Sequence, residues 1–127
     1  MNEISDSSIM NALGRQMTTA VAKQLVAAGN LANLDTPGYH TRAASFEEVL
    51  GQQMQATTGS GAGGAQATGA HPTAVEVDGL PARRDGNNVQ LDRELLDMTR
   101  ASADFSAAQA AMAAKFRLVR YAINEGR

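Results

Sequence analysis

Asn30-Leu31-Ala32-Asn33-Leu34-Asp35-Thr36-Pro37-Gly38-Tyr39 is the stretch that decides how this chain folds, because it brings a long amphipathic segment to a turn set by its own residues. Thr36 precedes a proline and is pushed from helical to extended geometry, while Pro37 and Gly38 suit the two central positions of a type II turn. The helix must therefore stop near Leu34. Asn30 and Asn33, three residues apart, share a helix face, and Asp35 or Thr36 can hydrogen-bond neighbouring backbone groups as the ladder ends. On residue types alone the run is a well-made helix terminus, and no catalytic chemistry follows from it.

Upstream, from Ser8 to Leu34, the apolar residues Met10, Leu13, Met17, Val21, Leu25, Ala28 and Leu31 recur in steps of three and four, which gathers them on one side of a helix. Ser7 or Ser8 can cap its start. Gly14 and Gly29 each weaken it by about 1 kcal/mol relative to alanine, so the helix needs a partner to persist. The C-terminal segment supplies one. Leu91, Leu95, Met98, Ser102, Phe105, Gln109, Met112, Phe116, Val119 and Ile123 follow alternating steps of four and three, a heptad seam. A helix from Val89 to Glu125 would be roughly 55 Å long, with Asp92 and Glu94 early and Lys115, Arg117 and Arg120 late, matching the macrodipole. Asp85-Gly86-Asn87-Asn88 provides the turn and cap before it.

Between the helices the composition shifts. Ser45-Phe46-Glu47-Glu48-Val49-Leu50 reads as a short helix or adhering segment, with Ser45 and Glu48 spaced as a capping box. From Gln55 to Ala70 every residue is Gln, Ala, Thr, Gly or Ser, too little apolar area to offset the entropy of ordering, so a mobile loop is expected. Ala74-Val75-Glu76-Val77 alternates like a strand but is soon interrupted by Gly79, Pro81 and Arg83-Arg84, so a single hairpin or extended edge is the most it can form.

The expected architecture is mainly α. Long N- and C-terminal helices pack as an antiparallel coiled-coil-like pair, with a poorly ordered central Gly/Ala-rich loop and at most a short β segment. One domain spans residues 1–127: an N-terminal helix at 8–34, a turn and short segment at 35–50, a flexible connector at 51–88 and a C-terminal helix at 89–125. Two helices cannot enclose a core on all sides, so apolar residues off the seam, such as Leu96, Leu118 and Tyr121, remain for neighbours. Assembly then supplies burial that one subunit lacks. The alternative is a homodimeric four-helix bundle in which those residues form a closed core.

Composition narrows the function. The 127 residues are 43% hydrophobic but only 4% aromatic, and a net charge of -2 gives no general attraction to nucleic acid. There is no cysteine, hence no disulfide framework and no thiolate nucleophile. The N-terminus lacks a basic region followed by an apolar run, and no apolar stretch is long enough to span a bilayer, so neither a cleaved leader nor a membrane span is expected. His40 and His71 stand far apart without a nearby carboxylate cluster of ligand spacing, which argues against a zinc site. No serine is placed for a triad, and the glycines around Gly59 to Gly64 do not join a strand to a helix with a lysine, so they form no phosphate loop. Glu47 and Glu48 are adjacent and form a solvated face. Neither an enzyme nor a cofactor, metal or small-molecule site is expected.

The run from Asn30 to Tyr39, in the pattern Asn-Leu-Ala-Asn-x-x-Thr-Pro-Gly-Tyr after a first helix, closely resembles the N-terminal signature of the bacterial flagellar rod and hook proteins, the axial family. The short length and the Asp85-Gly86-Asn87-Asn88-Val89 run leading into the last helix look most like the proximal rod members. The likeness covers roughly residues 1 to 50 and 71 to 127. It implies a non-enzymatic structural subunit of the proximal rod of the flagellar basal body, transmitting torque across the periplasm. It also implies export by the flagellar type III apparatus without a cleaved signal peptide. The partners it implies are other rod proteins, the rod-to-ring adapter protein, the membrane ring or export gate, and further copies of the chain. Asn30, Leu31, Ala32, Asn33, Thr36, Pro37, Gly38 and Tyr39 would then form an assembly corner, with Tyr39 either at an interface edge or packed within the chain. The alternative function is a soluble helical binding module, such as an export chaperone or adaptor that forms a closed dimer.

Overall fold

The computed structural model describes residues 6–46 and 72–125. Their order is helix α1 (Asp6–Ala32), strand β1 (Arg42–Ser45), strand β2 (Thr73–Glu76) and helix α2 (Leu91–Glu125). At 1.5 Å per residue the 27 residues of α1 span roughly 40 Å and the 35 of α2 roughly 52 Å. The helices run antiparallel: Lys115 Nζ meets Asp6 Oδ1 at 2.7 Å at one end, and Asn30 Nδ2 donates to Glu94 Oε2 at 2.9 Å near the other. The chain is thus mainly helical, two long helices with a short two-stranded sheet.

Small residues fill the helix interface. Ala20 and Ala27 of α1 and Ala101 and Ala108 of α2 are the buried apolar side chains of the two helices, each pair seven residues apart. Side chains this small let two helix axes approach toward the short end of the usual range, about 8 Å. Met10, Leu13, Met17, Leu31, Met98, Phe105 and Met112 flank the alanines and are half-buried. Val21, Leu25, Leu91, Leu95, Phe116, Val119 and Ile123, which the periodicity also assigned to the seam, are exposed instead. Heptad spacing identifies a helix with a preferred side but does not say which of two adjacent rows meets the partner. The rotation is decided by Asn30 and Glu94, both buried and bonded to each other across the interface.

The sheet is antiparallel and pairs Arg42 with Glu76, Ala43 with Val75, Ala44 with Ala74 and Ser45 with Thr73. The expected strand near Ala74 therefore forms, one residue earlier than its alternation suggested, and its partner is Arg42–Ser45. Ser45 is the last residue of that strand. Residues 47–71, which include the rest of the expected capping segment, the low-complexity stretch and His71, lie outside the described residues.

Candidate functional site

Two stretches that stood out in the sequence are folded onto each other at the closed end of the helix pair. α1 ends at Ala32 in tightening turns, with the amides of Asn33 and Leu34 donating to Asn30 and Leu31 carbonyls at 3.1 and 3.2 Å. The Tyr39 amide donates to the Thr36 carbonyl at 3.3 Å and Gly38 has φ +71°, so Thr36 to Tyr39 form the expected type II turn. Asn33 Nδ2 donates back to the Gly29 carbonyl at 2.8 Å, and its Oδ1 accepts from Thr36 Oγ1 at 3.1 Å.

Asp85 to Val89 then dock against this turn. The Asn87 amide group donates to the Asn33 and Thr36 carbonyls, both at 2.8 Å, while its Oδ1 accepts from the Val89 amide at 2.8 Å. Asn88 Oδ1 accepts from the Thr41 amide at 2.6 Å, and the Asn88 amide donates to the Tyr39 carbonyl at 3.3 Å. The Gly38 amide donates to the Asp85 carbonyl at 2.8 Å. Gly86 has φ +83°, and a Cβ there would come to 3.4 Å from the Gly38 Cα, so two glycines meet where the two backbones cross. Arg83 reaches over the junction, donating from Nη2 to the Leu34 carbonyl at 3.0 Å and the Val89 carbonyl at 3.2 Å.

Asn30 uses its whole hydrogen-bonding capacity. Its Nδ2 donates to Glu94 Oε2 at 2.9 Å and to the Arg42 carbonyl at 2.8 Å, and its Oδ1 accepts from the Tyr39 hydroxyl at 3.1 Å and the Arg42 amide at 3.0 Å. One side chain therefore joins the end of α1, the turn, β1 and α2. Tyr39 is half-buried, its hydroxyl held within the chain. Burial pushes the Glu94 carboxyl above the ordinary carboxylate range and the nearby Asp97 adds to that, while the Asn30 hydrogen bond and Arg93 oppose it.

Of the corner residues expected from the sequence, Asn30, Asn33, Thr36, Gly38 and Tyr39 thus join one network. Pro37 sets the turn and is exposed, Ala32 is exposed and Leu31 is half-buried. Residue-type reasoning placed Asp85 to Asn88 at a turn and cap but not against the corner, and it passed over Arg83 and Glu94 as site residues. A glutamate at a helix position later found buried carries one legible signal, its place in the first turn beside a buried asparagine run, but the pairing spans 64 residues. Thr41 is also buried, and its Oγ1 has no hydrogen-bond partner among the described residues.

Beside the network the helix pair keeps an uncovered apolar side. Val21 and Leu25 of α1 and Leu91 and Leu95 of α2 lie on the rows next to the buried alanines, on the flank away from Lys23 and Asp97, and all four are exposed. Beyond Lys115 the last residues of α2 run about 15 Å past Asp6, carrying Phe116, Leu118, Val119, Tyr121 and Ile123, each at least 41% exposed. No described helix is long and apolar enough to cross a membrane, and no group of three or more His, Cys, Asp or Glu among the described residues could hold a metal ion.

The chain is 26% identical over 124 residues to the flagellar basal body rod protein FlgB of Bacillus subtilis, a match covering 94% of this chain and 93% of that protein. This similarity supports the flagellar rod protein family. No family model matches the chain. The match spans nearly the whole chain, the corner and the docked Asp85 to Val89 stretch included.

Proposed function

We propose that this chain is a structural, non-enzymatic subunit of the proximal rod of the bacterial flagellar basal body. It assembles there with other rod proteins, the rod-to-ring adapter protein and the membrane ring or export gate, and transmits torque across the periplasm. The observation that carries the reading is the combination of a rigid corner with a bare flank. The Asn30, Asn87 and Asn88 network fixes the angle at which two helices leave the turn, while Val21, Leu25, Leu91, Leu95 and the end of α2 stay exposed. Contiguous exposed apolar surface of this kind marks an interaction site in a stable protein. A torque-bearing subunit needs such a division, since load is passed between subunits through the flank without bending the corner. Similarity to a flagellar basal body rod protein supports the same reading. Export through the flagellar type III apparatus without a cleaved signal peptide accompanies it.

The test is swimming, together with electron microscopy of basal bodies, in a strain lacking the gene and in the same strain complemented. Non-motile cells that keep the membrane ring but lack the rod establish the role; motile cells with complete rods reject it.

A further inference from the structure

The two edges of the small sheet are treated differently. The Val77 amide donates to the Thr41 carbonyl at 2.9 Å, which together with the register makes Ala43 and Val75 a hydrogen-bonded pair. Arg42 and Ala44 on β1, and Ala74 and Glu76 on β2, therefore turn their amides and carbonyls outward. On β1 the Asn30 side chain takes both outward groups of Arg42, accepting from its amide and donating to its carbonyl as a neighbouring strand would. On β2 no described residue bonds to the outward groups of Ala74 or Glu76, and all four strand residues are exposed. The strand contains no proline or lysine to guard its edge, and Val75 is 51% exposed.

We propose that β2 is a self-pairing edge: two copies of the chain join antiparallel through Thr73–Glu76, giving a four-stranded sheet across a two-fold axis. The chemistry of the strand selects the register. Centred on Val75, Ala74 of each copy faces Glu76 of the other, all eight outward groups are used in four hydrogen bonds, and the two Val75 side chains meet. Centred on Glu76, two carboxylates oppose each other directly, which is unfavourable. Centred on Ala74, Glu76 faces Pro72, which has no amide to donate. A two-stranded ribbon is marginal by itself and gains from added strands. The contact is isologous and closes at two copies, so it belongs to the free chain and does not rest on the axial reading.

The absence of cysteine makes the test direct, since any disulfide in a single-cysteine variant must join two chains. In the proposed register Val75 faces itself as a non-hydrogen-bonded pair, with Cα atoms about 4.5 Å apart, within reach of a disulfide. Full-length Val75→Cys, oxidised mildly, is expected to give about tenfold more crosslinked dimer than Thr73→Cys, whose counterpart across the axis is Val77. Ala74→Pro removes an outward amide without touching the bonds to β1, and in sedimentation velocity it is expected to convert dimer to monomer with its helical circular dichroism unchanged. A wild-type chain that sediments as a monomer, equal crosslinking at positions 73 and 75, or a dimer that survives Ala74→Pro would each overturn the proposal.

Discussion

Asn30 is the residue on which the corner depends, since it makes four hydrogen bonds to three other segments from a fully buried position. Asn30→Ala leaves the Glu94 carboxylate and the Arg42 backbone groups without that donor and acceptor, and it is expected to cost on the order of 3 kcal/mol in urea unfolding. Leu25→Ala, on an exposed position, is the control and is expected to change stability by no more than about 0.5 kcal/mol. Glu94 adds a pH dependence whose sign follows from its raised pKa. The folded chain binds the proton more readily than the unfolded one, so the stability Glu94 contributes is fully present below the ordinary carboxylate range and is lost as pH rises through the raised value. Glu94→Gln keeps an acceptor for Asn30 but does not titrate. Thermal midpoints measured against pH are therefore expected to show a decline in the wild type that is absent from the variant, and parallel curves would count against the assignment. The sequence showed that Asn30 and Asn33 share a face. It could not show Glu94 opposite, because a contact between residues so distant in the chain leaves no local pattern.

At the scale of elements, the helices were legible and their facing rows were not. Steps of three and four placed Met17, Met98, Phe105 and Met112 beside the interface, but the same pattern included Leu25, Leu95 and Phe116, which the structure leaves exposed. Large apolar residues dominate any reading of periodicity, whereas here the contact is made by alanines and steered by a buried polar pair. The difference is measurable. Ala101→Leu forces extra volume into the pair and is expected to cost about 1–3 kcal/mol, while Ser102→Leu, on the adjacent row assigned by the periodicity, stays within about 0.5 kcal/mol. Equal effects would return Ser102 to the interface. Phe116→Asp follows the same logic. At 59% exposure it is expected to leave helix content and unfolding midpoint unchanged in the free chain.

For the whole molecule, stability of the subunit and competence to assemble separate into different surfaces. On the proposed axial role, Phe116→Asp and Leu25→Asp fold normally yet fail to complement rod formation in the deletion strain, because a charge on a face buried by assembly is left without a partner. Full complementation by both would remove the exposed flank from the assembly interface. The corner is tested by Pro37→Ala combined with Gly38→Val. Valine at φ +71° is strained, so the turn is expected to shift the Asp85 to Val89 contact and impair rod formation more than export, scored by the protein recovered outside the cytoplasm. Normal rods in that double variant would show that the turn does not set the assembly angle.

The amino-acid sequence by itself determined the two helices, the stop before Pro37, the type II turn at Pro37-Gly38 and the presence of a short strand near Val75. Each of these depends on backbone preferences and spacings that act over a few residues. Tertiary structure alone decided that Asp85 to Val89 dock on the corner, that Asn30 closes the edge of β1, and that alanines meet between the helices while larger side chains remain outside. Those outcomes depend on which buried polar groups can satisfy one another across the fold. An unpaired amide or carboxylate in the interface costs more than exposing a leucine, so the hydrogen-bond network turned the helices to the alanine row.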